Sequence, residues 1–437
     1  MPERSTRSRR IFAVVVLAAG AVVLVASVSA GQSEPSAGPA PAPVAQDTLT
    51  HSIVVAQDKL RRTPQDPLTW AQLGTAYVEQ ARITADPAYY PKAQGALEKS
   101  LQQQPDGNGA ALIGMGALAN ARHDFAAAKT WGERATATVP GTAEAYGVLA
   151  DALTQLGEAD AATDTIQRML DHKPAVSSFT RASYDLELHG RIDDARAALH
   201  RAVADATSPS DIAFCRYYLG ELAFNSGKLD DAAAEYNQGL AVDAQNVSLL
   251  EGKAKVAAAR GQLDEARAGY QAVVARVPLP QYLQEYTDLL VAAGRRPEAE
   301  QQFAVLDSQQ RLFAAAGVTD DLTASGVAAS RGDEVGALVH AQAEWGRRQN
   351  VLVADALGWA LHLNGRDAEA LSYLDRAASL GGRNAAFAYH RGMTLAALGR
   401  KADAVAALSE AIEVNPYFSP LGAPDARRML DQLKAAR

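Results

Sequence analysis

Small and apolar residues recur along this chain with a period of about 34 residues. Glycines stand at Gly157, Gly190, Gly227, Gly261, Gly294, Gly332, Gly365 and Gly399. Five residues after every one of these glycines stands an alanine, seven residues before it a small residue, and four residues before it an apolar residue. A self-similar period of this length is typical of stacked supersecondary units. Each period predicts two antiparallel helices joined by a short turn.

The residue types within one period explain how such a pair of helices packs. Glycine ends the first helix, because it tolerates the left-handed conformation that a helix C-cap requires. Large residues nine positions after the glycine fill the space between helices, as Tyr236, Tyr270 and Phe303 do. Prolines close several units, because proline cannot continue a helix; they are Pro140, Pro174, Pro278 and Pro416.

Three segments carry this pattern most completely. They are WAQLGTAY at Trp70–Tyr77, YYLGELAFNSGKLDDAAAEY at Tyr217–Tyr236 and DALGWALHLNGRDAEAL at Asp355–Leu371. These segments resemble the tetratricopeptide repeat family, and the chain as a whole resembles bacterial extracytoplasmic members of it. The resemblance covers residues 67–416. It implies an all-α, right-handed α-solenoid and a protein-binding function rather than an enzymatic one.

The period divides residues 67–416 into ten units. They are expected to begin near residues 67, 109, 143, 176, 213, 247, 280, 318, 351 and 385. The eighth unit is degenerate, with Glu344 at a position where a small residue is expected. Extra residues at 204–210 and 308–319 predict longer loops. Capping helices are expected within residues 48–66 and 417–437, since the end units of a solenoid need a polar outer face.

The first thirty residues have the pattern of an export segment. Four arginines precede residues 11–30, which carry no charge. Two interpretations remain open: a membrane anchor that spans with residues 11–30, or a signal peptide cleaved near Ala30. The paired arginines at positions 9 and 10 also leave a twin-arginine signal open. Residues 31–47 are rich in Pro, Ala and Gly and predict a disordered tether, so the repeats are expected outside the cytoplasmic membrane.

The net charge and the reactive residue types argue against nucleic-acid-binding and enzymatic functions. The formal net charge of −8 does not suit a nucleic-acid-binding protein. The single cysteine, Cys215, is expected to be a buried apolar residue. The eight histidines are scattered, and no phosphate loop or catalytic motif occurs. Paired acids such as Asp193-Asp194 and Asp230-Asp231 are interpreted as helix starts. We therefore expect no enzyme activity, cofactor or metal.

The first helix of each unit should line a concave groove. The inward positions are 13, 10, 6 and 3 residues before the glycine. The candidate partner-binding residues are Tyr184, Tyr217, Glu221, Phe224, Trp359, His362 and Tyr389. Aromatic side chains in a groove anchor peptides efficiently, although they could instead pack between helices. The matching positions carry no basic cluster, so the lysine-based carboxylate clamp of some family members is not expected.

The partner itself is not indicated by the sequence. The leading hypothesis is an interaction scaffold for proteins or peptides. The alternatives are an assembly component of an envelope export or polysaccharide-secretion complex, and a binder of small cell-wall fragments.

Overall fold

The protein is an all-α solenoid, as predicted. A computed structural model describes residues 45–435, and every regular element within them is a helix. α1 (Ala45–Arg62) precedes ten helix pairs. The pairs are α2 (Pro67–Thr84) and α3 (Tyr89–Gln103), α4 (Gly109–Ala121) and α5 (Phe125–Thr138), α6 (Ala143–Leu156) and α7 (Ala159–His172), α8 (Val176–Leu188) and α9 (Ile192–Asp205), α10 (Pro209–Asn225) and α11 (Leu229–Val242), α12 (Val247–Ala259) and α13 (Leu263–Arg276), α14 (Pro280–Ala292) and α15 (Arg296–Ala315), α16 (Asp321–Arg331) and α17 (Glu334–Arg347), α18 (Val351–Leu363) and α19 (Asp367–Ala377), and α20 (Ala385–Ala397) and α21 (Lys401–Val414). α22 (Gly422–Ala435) follows the last pair.

Most units begin where the period predicts, but two loop predictions are wrong. The extra residues at 308–319 mostly extend α15, which runs to Ala315 and is the longest of the described helices. The extra residues at 204–210 leave only a short connection after α9, because Pro209 starts α10 early. Proline fits there because the first turn of a helix does not use its N–H groups.

The repeating glycines adopt the backbone conformation that the pattern predicts. All eight have positive φ, between 71° and 84°. Units one and two lack the glycine, and Ala85 (φ 52°) and His123 (φ 61°) take the left-handed conformation in its place. Non-glycine residues adopt this conformation at a cost, so these two turns carry backbone strain that the other units avoid.

Small residues allow the two helices of a unit to approach closely. A Cβ atom added to Gly220 would lie 2.1 Å from the ring of Tyr236. The two helices of units nine and ten also approach closely, because an added Cβ on Gly358 or Gly392 would lie 2.6–2.7 Å from a leucine of the second helix. Tyr236 is fully buried. The large residue nine positions after the glycine therefore fills the space that the small residue leaves.

The solenoid also closes on itself, which the repeat pattern does not predict. Turns of units two to five contact turns that lie nearly 200 residues later in the chain. The backbone N–H of Thr319 donates to the carbonyl oxygen of Arg122 (3.2 Å), and that of Gln349 donates to the carbonyl oxygen of Leu156 (3.3 Å). We call this line of contacts the inter-turn seam. Because of it, the inner face is partly covered by the following superhelical turn.

Side chains and glycines complete the inter-turn seam. The amide of Asn350 donates to the carbonyl oxygen of Gln155 (2.8 Å), and the amide of Asn415 donates to that of Phe224 (2.9 Å). An added Cβ on Gly190 would lie 2.4 Å from the carbonyl oxygen of Gly381. Each contact joins a unit to the turn that precedes the unit six places later, or α22 in the case of unit five, so one superhelical turn takes about six units.

The degenerate eighth unit has a structural reason in this seam. Glu344, which replaces a small residue, is 1% exposed and accepts hydrogen bonds from Arg347 and Arg348. Arg348 is 5% exposed and also donates to the Gln155 side chain across the seam. A buried charge must be paired, and Glu344 provides the partner for the arginine that crosses between turns.

Residues 1–30 and most of the predicted tether lie outside the described residues. Within the described part, α1 begins at Ala45, slightly earlier than the predicted capping helix. No helix between residues 45 and 435 is long and apolar enough to span a bilayer. The export-segment prediction therefore stays a prediction.

Candidate partner-binding cavity

The inner face contains a partly open cavity of about 630 Å³. Its main wall consists of α8, α10, α12 and α14, the first helices of units four to seven. The starts of α18 and α20 and residues 415–427, which lie on the following superhelical turn, also line it. A volume of this size lies in the range of ligand-binding sites.

Four of the predicted groove residues line this cavity. Tyr184 on α8 and Tyr217, Glu221 and Phe224 on α10 all belong to its wall. The inward phasing therefore holds for units four and five. Whether these residues contact a partner stays a prediction.

The second predicted aromatic cluster, Trp359 and Tyr389, lies in a core and not on a groove surface, so its assignment to the groove is wrong. Trp359 and Tyr389 are each 1% exposed and lie in the largest apolar core. Trp359 stacks on His390 with centroids 4.2 Å apart, and the Tyr389 hydroxyl donates to Asp425 of α22 (3.1 Å). The C-terminal cap therefore covers Tyr389, and α20 covers Trp359, so neither ring is exposed on the inner surface.

His362 is also not part of the cavity wall. Its Nδ1 lies 2.5 Å from the carboxylate of Asp367 at the start of α19. Its side chain is 16% exposed, and burial lowers its pKa. His362 therefore pairs within its own unit, joining the end of α18 to the start of α19.

The α10 side of the cavity is rich in aromatic rings. Tyr218 packs against Phe214 with centroids 4.8 Å apart and against Tyr217 with centroids 5.2 Å apart. Tyr282 of α14 and Tyr184 of α8 extend this surface to the neighbouring units. Tyrosine combines a large apolar face with a hydroxyl that hydrogen-bonds, which suits a binding surface.

A charged cluster centred on Lys255 lies at the middle of the wall. The Lys255 ammonium is 2.9 Å from Glu221, 3.1 Å from Glu251 and 3.4 Å from Glu285. Tyrosine hydroxyls donate to the same carboxylates: Tyr236 to Glu221 (2.6 Å), Tyr217 to Glu251 (3.3 Å) and Tyr270 to Glu285 (3.0 Å). One cation thus faces three carboxylates, and the cluster retains negative charge.

Two further carboxyl groups extend this acidic character without a cationic partner. Glu187 accepts one long hydrogen bond, from Asn225 (3.4 Å), and burial raises its pKa to about 7. Asp288 is 3% exposed, and its Oδ1 has no hydrogen-bond partner among the described residues. Burial raises the pKa of Asp288 to about 8, against a smaller opposing effect of the Ser330 hydroxyl.

The basic residues of the cavity wall are engaged by other groups. Arg181 forms a two-fold contact with Asp151, and Lys255 is held by the three glutamates. Arg383 pairs with Glu413, and Arg427 donates to the carbonyl oxygen of Pro416. The cavity therefore contains carboxyl groups on α8, α10 and α14 and two arginines, Arg383 and Arg427, on its other lining segments.

The remaining chemistry of the described residues is structural. Cys215 is fully buried, as predicted, and burial raises its pKa to about 12. The acid pairs Asp193-Asp194 and Asp230-Asp231 occupy the first turns of α9 and α11, also as predicted. No group of three or more potential ligands that could hold a metal ion occurs between residues 45 and 435.

Sequence reasoning missed Lys255, Glu285, Tyr282 and Asp288 as wall residues. The signal was present for two of them: Lys255 and Asp288 lie six residues before Gly261 and Gly294, an inward position of the same phasing. The inward positions of units six and seven carry no aromatic residue, so no aromatic cluster marks these two units in the sequence.

Comparison with known families agrees with the repeat assignment. Two tetratricopeptide repeat models match the chain, one at residues 182–241 and 217–281 and the other at residues 385–418. A comparison with curated proteins finds no match.

Several solved structures are similar. A tetratricopeptide repeat protein from Parabacteroides merdae is 17% identical, covers 59% of this chain and 98% of its own, and has a TM-score of 0.36. A thermophilic tetratricopeptide repeat protein from Thermus thermophilus is 22% identical over 42% of this chain and 95% of its own, with a TM-score of 0.37. Yeast Tom70 is 12% identical over 89% of this chain and 92% of its own, with a TM-score of 0.37.

Proposed function

Because this chain is a tetratricopeptide-repeat protein, a fold that serves as a protein-interaction scaffold, we propose that it binds a protein or peptide partner inside its central cavity. The observation that carries this proposal is the cavity wall formed by α8, α10, α12 and α14. It combines several tyrosines with carboxyl groups in a space of about 630 Å³. Solenoids use their concave surface in this way.

The proposal assigns no catalytic role to the chain. Tetratricopeptide-repeat proteins are generally scaffolds, and the polar groups of the cavity form ion pairs and hydrogen bonds that stabilise the wall. Arg181 and Asp151, for example, form a buried pair with contacts of 2.7–2.8 Å. Such a pair holds α6 and α8 in register.

The proposed location is outside the cytoplasmic membrane. It rests on the basic start and uncharged run of residues 1–30. In this location the chain is either anchored by residues 11–30 or released after cleavage near Ala30. A scaffold at the membrane surface would gather envelope proteins, and an export or polysaccharide-secretion complex is one assembly of this kind.

Photo-crosslinking in cells tests the partner-binding surface. Tyr217 is replaced by p-benzoylphenylalanine in the full-length protein, and Ala161, exposed on α7, receives the same change as a control. We expect discrete crosslinked products from position 217 that are absent from position 161. The same products from both positions, or none from position 217, would show that partners do not enter the cavity.

A small ligand is the second candidate, favoured by the ligand-sized volume of the cavity. The two candidates are separated by thermal shift measurements on the full-length protein in mild detergent. Saturable stabilisation by soluble cell-wall fragments, with no crosslinked polypeptide at position 217, supports the small ligand. Crosslinked polypeptides without such stabilisation support the scaffold.

A further inference from the structure

One side of the cavity is a continuous aromatic surface. We call it the tyrosine wall, and it consists of Tyr184 on α8, Phe214, Tyr217 and Tyr218 on α10, and Tyr282 on α14. The rings on α8 and α10 are only partly buried, and the cavity lies beside them. Surfaces lined by aromatic rings are those on which extended, proline-rich segments dock.

The direction of α1 shows where the preceding part of the chain enters the solenoid. The Gln57 side chain of α1 donates to the hydroxyl of Tyr77 on α2 (2.7 Å). Lys59, further along α1, pairs with Asp66, which directly precedes α2 (2.8 Å). α1 therefore runs antiparallel to α2, and the start of α1 lies beside the end of α2.

The end of α2 faces the tyrosine wall. Burial opposes the charge of Arg82 near this end, but Glu79 and, more weakly, Tyr218 and Tyr282 raise its pKa. Arg82 is therefore within electrostatic reach of two rings of the wall. Packed helices lie about 8–10 Å apart, so the start of α1 is also close to the wall. Residues 31–44 span about 40 Å when extended at about 3 Å per residue, which is enough to reach it.

The sequence of this segment has the composition that such a wall binds. Residues 31–44 lie outside the described residues and read GQSEPSAGPAPAPV. Pro39, Pro41 and Pro43 alternate with small residues, and proline fixes φ near −65°. A chain restricted in this way loses little conformational entropy when it binds. The segment carries one charge, Glu34, so its binding would depend on ring contacts rather than on ion pairs.

We propose that residues 31–44 occupy the cavity against the tyrosine wall, so that a partner must displace this segment before it binds. The contact follows from the wall, the position of α1 and the prolines. Only the competition rests on the partner-binding function proposed above. Cleavage near Ala30 would leave the segment in the chain, so the contact is compatible with both an anchored and a released protein.

Photo-crosslinking of the purified full-length protein in mild detergent tests the contact. Tyr217 or Phe214 is replaced by p-benzoylphenylalanine, and Ala161, exposed on α7, receives the same change as a control. After irradiation the protein is cleaved with trypsin and a glutamate-specific protease, and the peptides are identified by mass spectrometry. We expect a product of monomer size that joins position 217 or 214 to residues 31–44, and none from position 161. No such product from either wall position, or a product of dimer size only, would overturn an intramolecular contact.

Peptide binding by two matched triple variants tests the competition. The variants are Pro39→Ser, Pro41→Ser, Pro43→Ser and, as the control, Ala37→Ser, Ala40→Ser, Ala42→Ser. Both change the same segment at three positions, but only the first removes prolines. Binding of a pool of random fluorescein-labelled decapeptides is measured by fluorescence anisotropy. We expect the proline variant to bind the pool about threefold or more tightly than the unchanged protein, as for a cavity that the segment occupies in about two thirds of the molecules. The control should bind like the unchanged protein.

The possible results separate this inference from the proposed function. Unchanged binding by the proline variant, or an equal gain in both variants, would overturn the competition. No binding of the pool by any of the three proteins would overturn partner binding in the cavity, and the crosslinks would still decide whether residues 31–44 lie there.

Discussion

Removing the charge of Lys255 tests whether the central cluster of the wall holds units five to seven together. In Lys255→Met, Glu221, Glu251 and Glu285 lose the cation that lies within 3.4 Å of each. Lys255 is 11% exposed and Glu251 1%. Removing one partner of a buried ion pair costs about 3–5 kcal/mol, because a buried charge is left without compensation. We expect a loss of this size in the free energy of unfolding.

The loss should depend on pH in a defined direction. Burial, followed by the charge of Glu285, holds the pKa of Glu251 well above 4.5 in the folded protein. When the pKa of a carboxyl group is higher in the folded than in the unfolded state, the folded protein loses stability as the pH rises from the unfolded-state pKa to the folded-state pKa. Without Lys255 this pKa rises further. The destabilisation should therefore be larger at pH 8 than at pH 5.

Urea unfolding followed by circular dichroism measures the total loss, and hydrogen exchange locates it. In a solenoid each unit contacts mainly its neighbours, so exchange should accelerate in α10, α12 and α14 more than in α2–α5. Lys253→Met, an exposed lysine on the same helix, is the control and should change stability by less than about 0.5 kcal/mol. A loss below about 1 kcal/mol in Lys255→Met, or one independent of pH, would refute the reasoning.

Three other perturbations follow from the packing, the seam and the export segment. Gly220→Ala should lower the free energy of unfolding by about 1–3 kcal/mol, because the added Cβ would lie 2.1 Å from the Tyr236 ring. Gly95→Ala, where an added Cβ has no neighbour within 4 Å, should raise the free energy of unfolding by about 0.5–1 kcal/mol. Thermal unfolding of the two variants measures this difference. Arg348→Met should open the inter-turn seam and raise the radius of gyration measured by X-ray scattering, and the exposed Arg311→Met should not. Alkaline phosphatase fused to the C-terminus should be active in cells with residues 1–30 and inactive after their deletion, because the enzyme folds only outside the cytoplasm; equal activity would contradict the proposed location.

The repeat and its helix bounds follow from the sequence because they depend on local rules. Gly157 and Gly227 adopt positive φ where a helix C-cap is needed, and Tyr236 fills the space beside Gly220. The positions of glycine and of the large residue within the repeat are therefore enough to predict both the turn and the packing. The wrong loop at 308–319 has a local cause too: the chain there contains no helix breaker before Gly317, so α15 continues.

The seam and the cavity depend on contacts between residues nearly 200 positions apart. Small differences in the angle between adjacent units accumulate along the solenoid, and the repeat period in the sequence does not predict these angles. Gln155 and Arg348 are ordinary polar residues in the sequence and become a seam contact only after one full superhelical turn. Trp359 was misplaced for a more local reason: it stacks on His390 of the next unit, and the inward phasing of its own helix does not show that this neighbour buries it.

Filling the cavity with a covalent label most directly tests the claim that a protein or peptide partner binds inside it. Cys215 is the only cysteine of the sequence and is fully buried, so a maleimide reagent does not reach it in the folded protein. The reagent therefore labels only a cysteine introduced at an accessible position. Tyr184→Cys lies in the cavity wall and Ala161→Cys on the exposed face of α7. A bulky maleimide at position 184 should weaken binding of a pool of random fluorescein-labelled decapeptides, measured by fluorescence anisotropy, by about tenfold or more, and the same label at position 161 should leave it unchanged. Equal binding before and after labelling at position 184 would contradict the account.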